Sequence, residues 1–321
     1  MMFHLRRRAF LQLTAAGAAA CWAGGTLAGA QAAAMGDPLI SPGARRSKVR
    51  VAKVYLGIPN AHWPTPAMDL AREMEVYEDA FAQRAAAFGD VEFPVNQLVT
   101  TVEGAQEAAT KLAGMDGVLA IHLSMGVTPM LQKILAAGTP TMLFAAPYSG
   151  HEWTHFGQIM RNPEGALLDC VLTSDLDQLA AAVRPFRAMH HLREAKIVNV
   201  SERESSAEYL QAVRTKFGTE IVRIERDRVL AAYEAVPEAA AKAEARQWIA
   251  NAEKVVEPST EEIENSCRLA LAFERLLQEE DATTITVDCY GTMYRKLPAF
   301  PCIGFTRLND MGFAGICESD L

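Results

Sequence analysis

The 321-residue chain is poor in the features that would tie it to a cofactor fingerprint or a disulfide scaffold. It has six cysteines at irregular spacings and no C-x-x-C pair, which excludes a cysteine zinc site and leaves buried thiols as the default. Positive charge is scarce: 31 Lys and Arg face 39 Asp and Glu, for a net −8, and the basic clusters all lie before residue 51. That balance excludes a nucleic-acid or anionic-membrane partner. No G-x-G-x-x-G follows the first strand of either half and no Walker loop occurs, so no nucleotide cofactor is expected. There is no short-period repeat. With 50% hydrophobic and 22% charged residues, the chain is globular rather than disordered or multi-pass, and long enough for two domains with real cores.

The amino terminus reads as an address. Arg6, Arg7 and Arg8 precede Phe10 and Leu11, then comes an apolar, alanine-rich run to about Ala30. A charged start, an apolar middle and small residues at the exit make a secretory signal. Arg7-Arg8-Ala9-Phe10-Leu11-Gln12 resembles the twin-arginine export motif, with Arg6 where a Ser or Thr is usual. Ala30-Gln31-Ala32 and Ala32-Ala33-Ala34 both suit cleavage, so residues 1–34 are assigned to the signal and the mature protein to the periplasm or another extracytoplasmic space. The apolar run is short for a membrane span, and no stable membrane insertion is expected after cleavage. Cys21 after Ala18-Ala19-Ala20 offers lipoprotein acylation as an alternative, without the leucine expected three residues earlier.

Residues 35–47 read as a linker. Short apolar strands then alternate with amphipathic helices: strand Val51–Leu56, helix Ala67–Phe88, strand Val91–Val95, helix Val102–Leu112, strand Val118–His122, helix Thr128–Ala137 and strand Thr141–Ala145. The pattern blurs from Pro147 to Pro163, then resumes with strand Leu167–Leu172 and helix Asp175–Leu192. A second series follows: strand Lys196–Val200, helix Ala207–Phe217, strand Glu220–Ile224, a long helical region to Glu280, and strand Thr283–Val287. The long region reads as two helices broken near Pro258, with Ser259 and Glu262 as a capping box. The expectation is an α/β protein of two consecutive Rossmann-like, flavodoxin-type parallel-sheet domains, over 48–190 and 191–321.

His151-Glu152-Trp153-Thr154-His155 matches H-E-x-x-H, which on a helix would place two imidazoles on one face for zinc with the Glu as base. The segment sits between Gly150 and Gly157, and no third ligand is identifiable downstream. The favoured reading is a loop at the carboxyl edge of the first sheet, where open α/β folds bind ligands. There His151, Glu152 and Trp153 suit sugar stacking and hydroxyl bonding, beside a purely structural alternative. His62 and Trp63 occupy the first strand's exit loop in the same topological position. His190-His191 ends a helix and reads as structural. Glu261 to Glu264 reads as a solvated helix start.

The tail differs. Asp288-Cys289-Tyr290-Gly291-Thr292 follows a strand, Pro301-Cys302-Ile303-Gly304-Phe305 opens a short helical segment ending at Leu308-Asn309-Asp310, and Cys317-Glu318-Ser319-Asp320-Leu321 closes the sequence. Carboxylates at i and i+2 can converge on a hard cation in a bend or share a face in a strand; on spacing alone they are an ordinary acidic terminus. The run Pro301-Cys302-Ile303-Gly304, Arg307-Leu308-Asn309-Asp310-x-Gly312 and Cys317-Glu318-x-Asp320 resembles the L-fucose/L-arabinose isomerase superfamily, especially its fucose-isomerase-like members.

The resemblance implies a metal-dependent aldose–ketose isomerase, an intramolecular oxidoreductase commonly using Mn²⁺. It implies Glu318 as metal ligand and proton-transferring base, with Asp320 as an adjacent helper ligand. A carboxylate base moves the proton while a divalent cation polarises the carbonyl. Relatives continue into a third, largely β domain that supplies further ligands, including a histidine, and they are commonly oligomers. The expectation is therefore a front portion of an isomerase-like protein acting on a pentose or deoxyhexose, without isomerase activity alone, and able to form homo-oligomers. The alternative is a periplasmic two-lobed sugar-binding protein without catalysis.

Overall fold

In a computed structural model, residues 47–146 and 156–321 are described. The protein is α/β, with two all-parallel sheets in series.

The first sheet is built from β1 (Val49–Leu56), β2 (Val91–Glu92), β3 (Asn96–Val99), β4 (Gly117–His122), β5 (Thr141–Ala145) and β6 (Leu168–Leu172). β2 and β3 pair in succession with the start and end of β1, so together they form one interrupted edge strand. The order is then edge–β1–β4–β5–β6, the flavodoxin-type arrangement. Side chains alternate across this sheet as a period of two requires. Val49, Val51 and Tyr55 join Leu119, Ile121 and Phe144 against α1 (Leu70–Gln83) and α5 (Gln178–Glu194). Ala52, Val54 and Leu56 join Val118, Ala120 and Leu143 against α2 (Val102–Ala109) and α3 (Thr128–Leu135). A one-turn helix, α4 (Phe156–Ile159), precedes β6.

Local chemistry sets the helix starts: the side chains of Asp69 and Thr101 accept from the N–H groups of Arg72 and Gly104. Close approach sets one glycine. A Cβ on Gly117 would lie 2.2 Å from the Phe186 ring, so the centre of α5 reaches the sheet only over a bare backbone.

The second sheet is built from β7 (Lys196–Val200), β8 (Glu220–Ile224), β9 (Thr284–Val287) and β10 (Ala314–Cys317), in the order β10–β9–β7–β8. This repeats the first sheet's order with one strand fewer. One face, carrying Val198, Val200, Ile285 and Val287, is the apolar side and is buried. Gly315 on β10 meets α10 (Cys302–Asp310), where an added Cβ would lie 2.7 Å from the Phe305 backbone. Beside α10 run α8 (Glu238–Asn251) and α9 (Thr260–Glu279), joined through Ala245, Ile263, Cys267 and Ile303. The other connections are α6 (Ala207–Phe217) and α7 (Arg226–Glu234).

Several expected elements differ in detail. The strand expected over Val91–Val95 is cut at Pro94, which has no N–H for the ladder, and pairing resumes at Asn96. The helix expected from Ala67 begins at Leu70, where Asp69 caps it, and ends at Gln83 before a 3₁₀ turn, Ala85–Phe88. The long helical region holds three helices rather than two, because Pro237 also ends a segment. Ser259 and Glu262 form the capping box. β10 lies where no strand was expected. All described residues belong to one compact unit, and among them no helix is long and apolar enough to cross a membrane.

Candidate functional site

In a parallel α/β sheet the strand order reverses where successive crossovers leave in opposite directions, and the carboxyl ends of those strands form a crevice. In the first sheet the crevice lies between β1 and β4. Ser124 Oγ, just beyond β4, accepts from Ile58 N–H at 2.7 Å and ties the two exits together. His62 and Trp63 stand on the β1 exit loop; both are exposed, and the Trp63 carbonyl accepts from Met125 N–H at 3.1 Å. His151, Glu152 and Trp153, with the rest of H-E-x-x-H, lie outside the described residues.

In the second sheet the crevice lies between β7 and β9, and polar groups gather there. Asp288, directly after β9 and 5% exposed, accepts from Gly291 N–H at 2.9 Å and from Arg203 at 3.1 Å. It is the cap of the 289–293 turn, so its carboxylate is committed to structure. Thr292 Oγ1 accepts from Glu202 N–H at 3.0 Å, binding that turn to the β7 exit loop.

The chain's last segment passes over this edge. Glu318 and Ser319 both adopt left-handed φ, 61° and 60°, a conformation costing roughly 1–3 kcal/mol per non-glycine residue. Three hydrogen bonds hold the turn: Ser319 N–H to the Val287 carbonyl at 3.1 Å, Asp320 N–H to the Cys317 carbonyl at 3.2 Å, and Ser319 Oγ to Asn199 Oδ1 at 2.6 Å. With Ser319 turned inward to Asn199, Glu318 and Asp320 remain exposed on either side of it. Asn199 also lines an open cavity of ≈ 210 Å³ with Glu204, Ser205, Leu210, Ile221 and Arg223. Thr286, the register partner of Asn199, is fully buried on the same sheet face, and its Oγ1 has no hydrogen-bond partner.

Beneath the turn, Cys289 Sγ and Cys317 Sγ are 3.9 Å apart. Burial pushes the Cys289 thiol up and Cys317 adds to it, against the opposing pull of the Glu318 backbone N–H. A second cavity, ≈ 370 Å³, lies between α8 and α10 and is lined by Glu244, Trp248 and Arg307; it is away from the strand ends.

Among the described residues, the one group of three ligand-type side chains close enough for a shared ion is His190, His191 and Glu194, with ligand atoms within 4.8 Å. These atoms already serve a network at the end of α5. His190 Nδ1 faces Asp116 at 3.0 Å, His190 Nε2 faces the Ser47 carbonyl at 3.1 Å, and His191 Nε2 faces Asp90 at 3.3 Å. Arg193 and Arg187 pair with the same two aspartates, each at 2.9 Å. Among the described residues, Glu318 and Asp320 belong to no such group of three.

A motif resemblance, not spacing, pointed to Glu318 and Asp320, while Asn199, Arg203, Thr292 and Thr286 were missed. Asn199 carried a usable signal, because a polar residue in the middle of Lys-Ile-Val-Asn-Val interrupts an otherwise apolar strand. Neither a protein-family model nor a curated protein sequence matches the chain.

Proposed function

We propose that the chain carries the sugar-binding and proton-transferring part of a metal-dependent aldose–ketose isomerase, exported by the twin-arginine route and acting on a pentose or deoxyhexose. The observation that carries this reading is the Glu318 turn: two successive left-handed residues at the carboxyl edge of the second sheet, the second fastened to β7 and β9, with the Glu318 side chain exposed. Strain of this kind persists only where surrounding bonds over-determine it, and it concentrates at working sites.

Isomerisation removes a proton from the carbon beside a carbonyl and returns one to the neighbouring carbon. Glu318 is the base that takes and returns it. Glu318 with Asp320 would hold a divalent cation such as Mn²⁺, which when bound polarises the substrate carbonyl. Asn199, Ser205, Glu204 and Arg223 offer donors and acceptors for sugar hydroxyls in the adjoining cavity. His62 and Trp63 on the β1 exit loop are assigned to the sugar, and so on the sequence reading are His151, Glu152 and Trp153, which lie outside the described residues. Because two carboxylates leave a cation with an open, incomplete shell, turnover by this chain alone is not expected.

The test uses the full chain with Mn²⁺ alone, followed by a pentose. Bound Mn²⁺ is read by electron paramagnetic resonance and the pentose by tryptophan fluorescence. The expected result is Mn²⁺ binding weakened about tenfold or more by Glu318→Gln, since even the loss of an outer-shell partner costs about 10–100-fold, and pentose quenching that requires the metal. Saturable pentose binding that ignores both Mn²⁺ and Glu318→Gln overturns the reading in favour of a binding protein without catalysis.

A further inference from the structure

The carboxyl ends of β9 and β10 place two thiols side by side. Cys317 is the last residue of β10 and exposed; Cys289 opens the turn after β9 and is 4% exposed. They are 28 residues apart in sequence, with sulfurs 3.9 Å apart. Among the described residues, Cys170, Cys267 and Cys302 make no sulfur–sulfur contact. We infer that Cys289 and Cys317 are a thiol–disulfide exchange site, at which a low-molecular-weight disulfide oxidises the pair to an intramolecular bridge.

The pair divides the two roles such chemistry needs. An attacking thiol must be reachable, and a resolving thiol must be near and shielded from the reagent. Cys317 as thiolate attacks the reagent disulfide, forms a mixed disulfide and releases one reagent thiol. Cys289 as thiolate then attacks the Cys317 sulfur and expels the second. The two protein thiols lose two protons and two electrons; the reagent gains both and becomes two thiols.

Bond formation needs the sulfurs to close from 3.9 Å to about 2.05 Å, less than the sweep of one χ1 rotation. The bridge would join the 289–293 turn to the residue before Glu318, whose backbone N–H faces the Cys289 sulfur. Oxidation thus acts on the Glu318 turn through its neighbour, whether or not that turn holds a metal or a sugar.

The experiment exposes the reduced full chain to graded ratios of oxidised to reduced glutathione, quenches with an alkylating agent and maps peptides by mass. The expected product is two hydrogens lighter, with the Cys289 and Cys317 peptides linked and both alkylation sites lost together. Cys317→Ser abolishes the link and leaves Cys289 unmodified. Cys289→Ser accumulates a glutathione adduct on Cys317, about tenfold above the unsubstituted chain, because nothing resolves it. A stable adduct on Cys317 of the unsubstituted chain at every ratio overturns the inference, as does a link to Cys302. Since Cys317 is exposed, its variant keeps the test readable even where Cys289→Ser fails to fold. The mass readout uses neither metal nor sugar, so its failure is distinct from failure of the isomerase reading.

Discussion

In the first sheet, β4 and β5 are buried along their whole length, and β1 everywhere but Arg50. In the second, the edge strands β8 and β10 keep half-exposed side chains, and α6 buries no residue of its own. The strand order is shared, and β3 and β6 at the first sheet's edges are half-exposed too. The difference lies in the helices, since each long helix on the first sheet buries residues and α6 does not. Helices seal the first sheet on both faces, so its interior is committed to stability. In the second sheet Asn199 and Thr286 are buried as well, but their face opens toward the edge, where Arg223 is half-buried beside the cavity. A repeated topology has been divided between a scaffold and a working edge.

That division can be broken most forcefully in the first sheet. Lys53 is a buried cation, 4% exposed, held by Glu78 at 2.5 and 2.6 Å and lying 4.6 Å from the Phe81 ring centroid. Tyr55 donates to the same carboxylate, and burial, with Glu78 adding to it, pushes its hydroxyl far up. Glu78→Ala leaves the ammonium unpaired and is expected to cost about 3–5 kcal/mol in denaturant unfolding, whereas Lys53→Met with Glu78→Leu recovers most of it.

The glycines sharpen the contrast. Gly117→Ala drives a methyl into Phe186 inside a closed core, with an expected cost near the top of the roughly 1–3 kcal/mol range for overpacking. Gly315→Ala meets the Phe305 backbone of α10, which cannot rotate aside as a side chain can, and is expected to cost as much within that range. A markedly smaller cost, read from the same urea midpoints, would show that the edge helix yields where the closed core does not. Removing the capping box with Ser259→Ala is expected to cost about 1 kcal/mol, a purely local loss.

Thiol kinetics offer a finer reading. Burial pushes Cys170 and Cys267 up to about 11, so both should react far more slowly than Cys302 and Cys317 with an alkylating agent at pH 8. The smallest effect is at Asp90. Burial raises its carboxyl, but Arg187 and His191 together hold it below the ordinary value. A depressed folded value means that its stabilisation is complete above the unfolded value of about 3.9 and is lost as pH falls through the folded one. Asp90→Asn should therefore flatten the urea midpoint between pH 4 and 2 while lowering it at pH 6.

Much of the fold was legible because its signals are local. β7, β8 and α6 occupy the residues their patterns indicate, since an apolar pentapeptide between polar breaks, or Ser206 capping an amphipathic run, needs no distant partner to be read. β3 was missed because an edge strand pairs on one side only, and Asn96-Gln97 carries no apolar demand. β10 was missed because Gly315 is bare for the sake of Phe305, a contact from another element. The site shows the same limit. Glu318 stands out only through a motif resemblance, while its bond network reaches Asn199 across 120 residues. The Cys289–Cys317 contact exists only because β9 and β10 are neighbours, which spacing cannot express.

The passage between the sheets has a mechanical consequence. The chain crosses once, through Ala195 alone, between the end of α5 and the start of β7. The last turn of α5 is gripped from the first sheet's side by Asp116, through His190 and Arg193. It is gripped from the other side by Thr219, whose hydroxyl donates to the Leu192 carbonyl at 2.7 Å, and by Glu220 N–H on the Ala195 carbonyl at 3.0 Å. A hinge needs a few residues free to change φ and ψ, and this junction has none to spare. Clamshell closure about this junction would have to break the hydrogen-bonded clamp on at least one side.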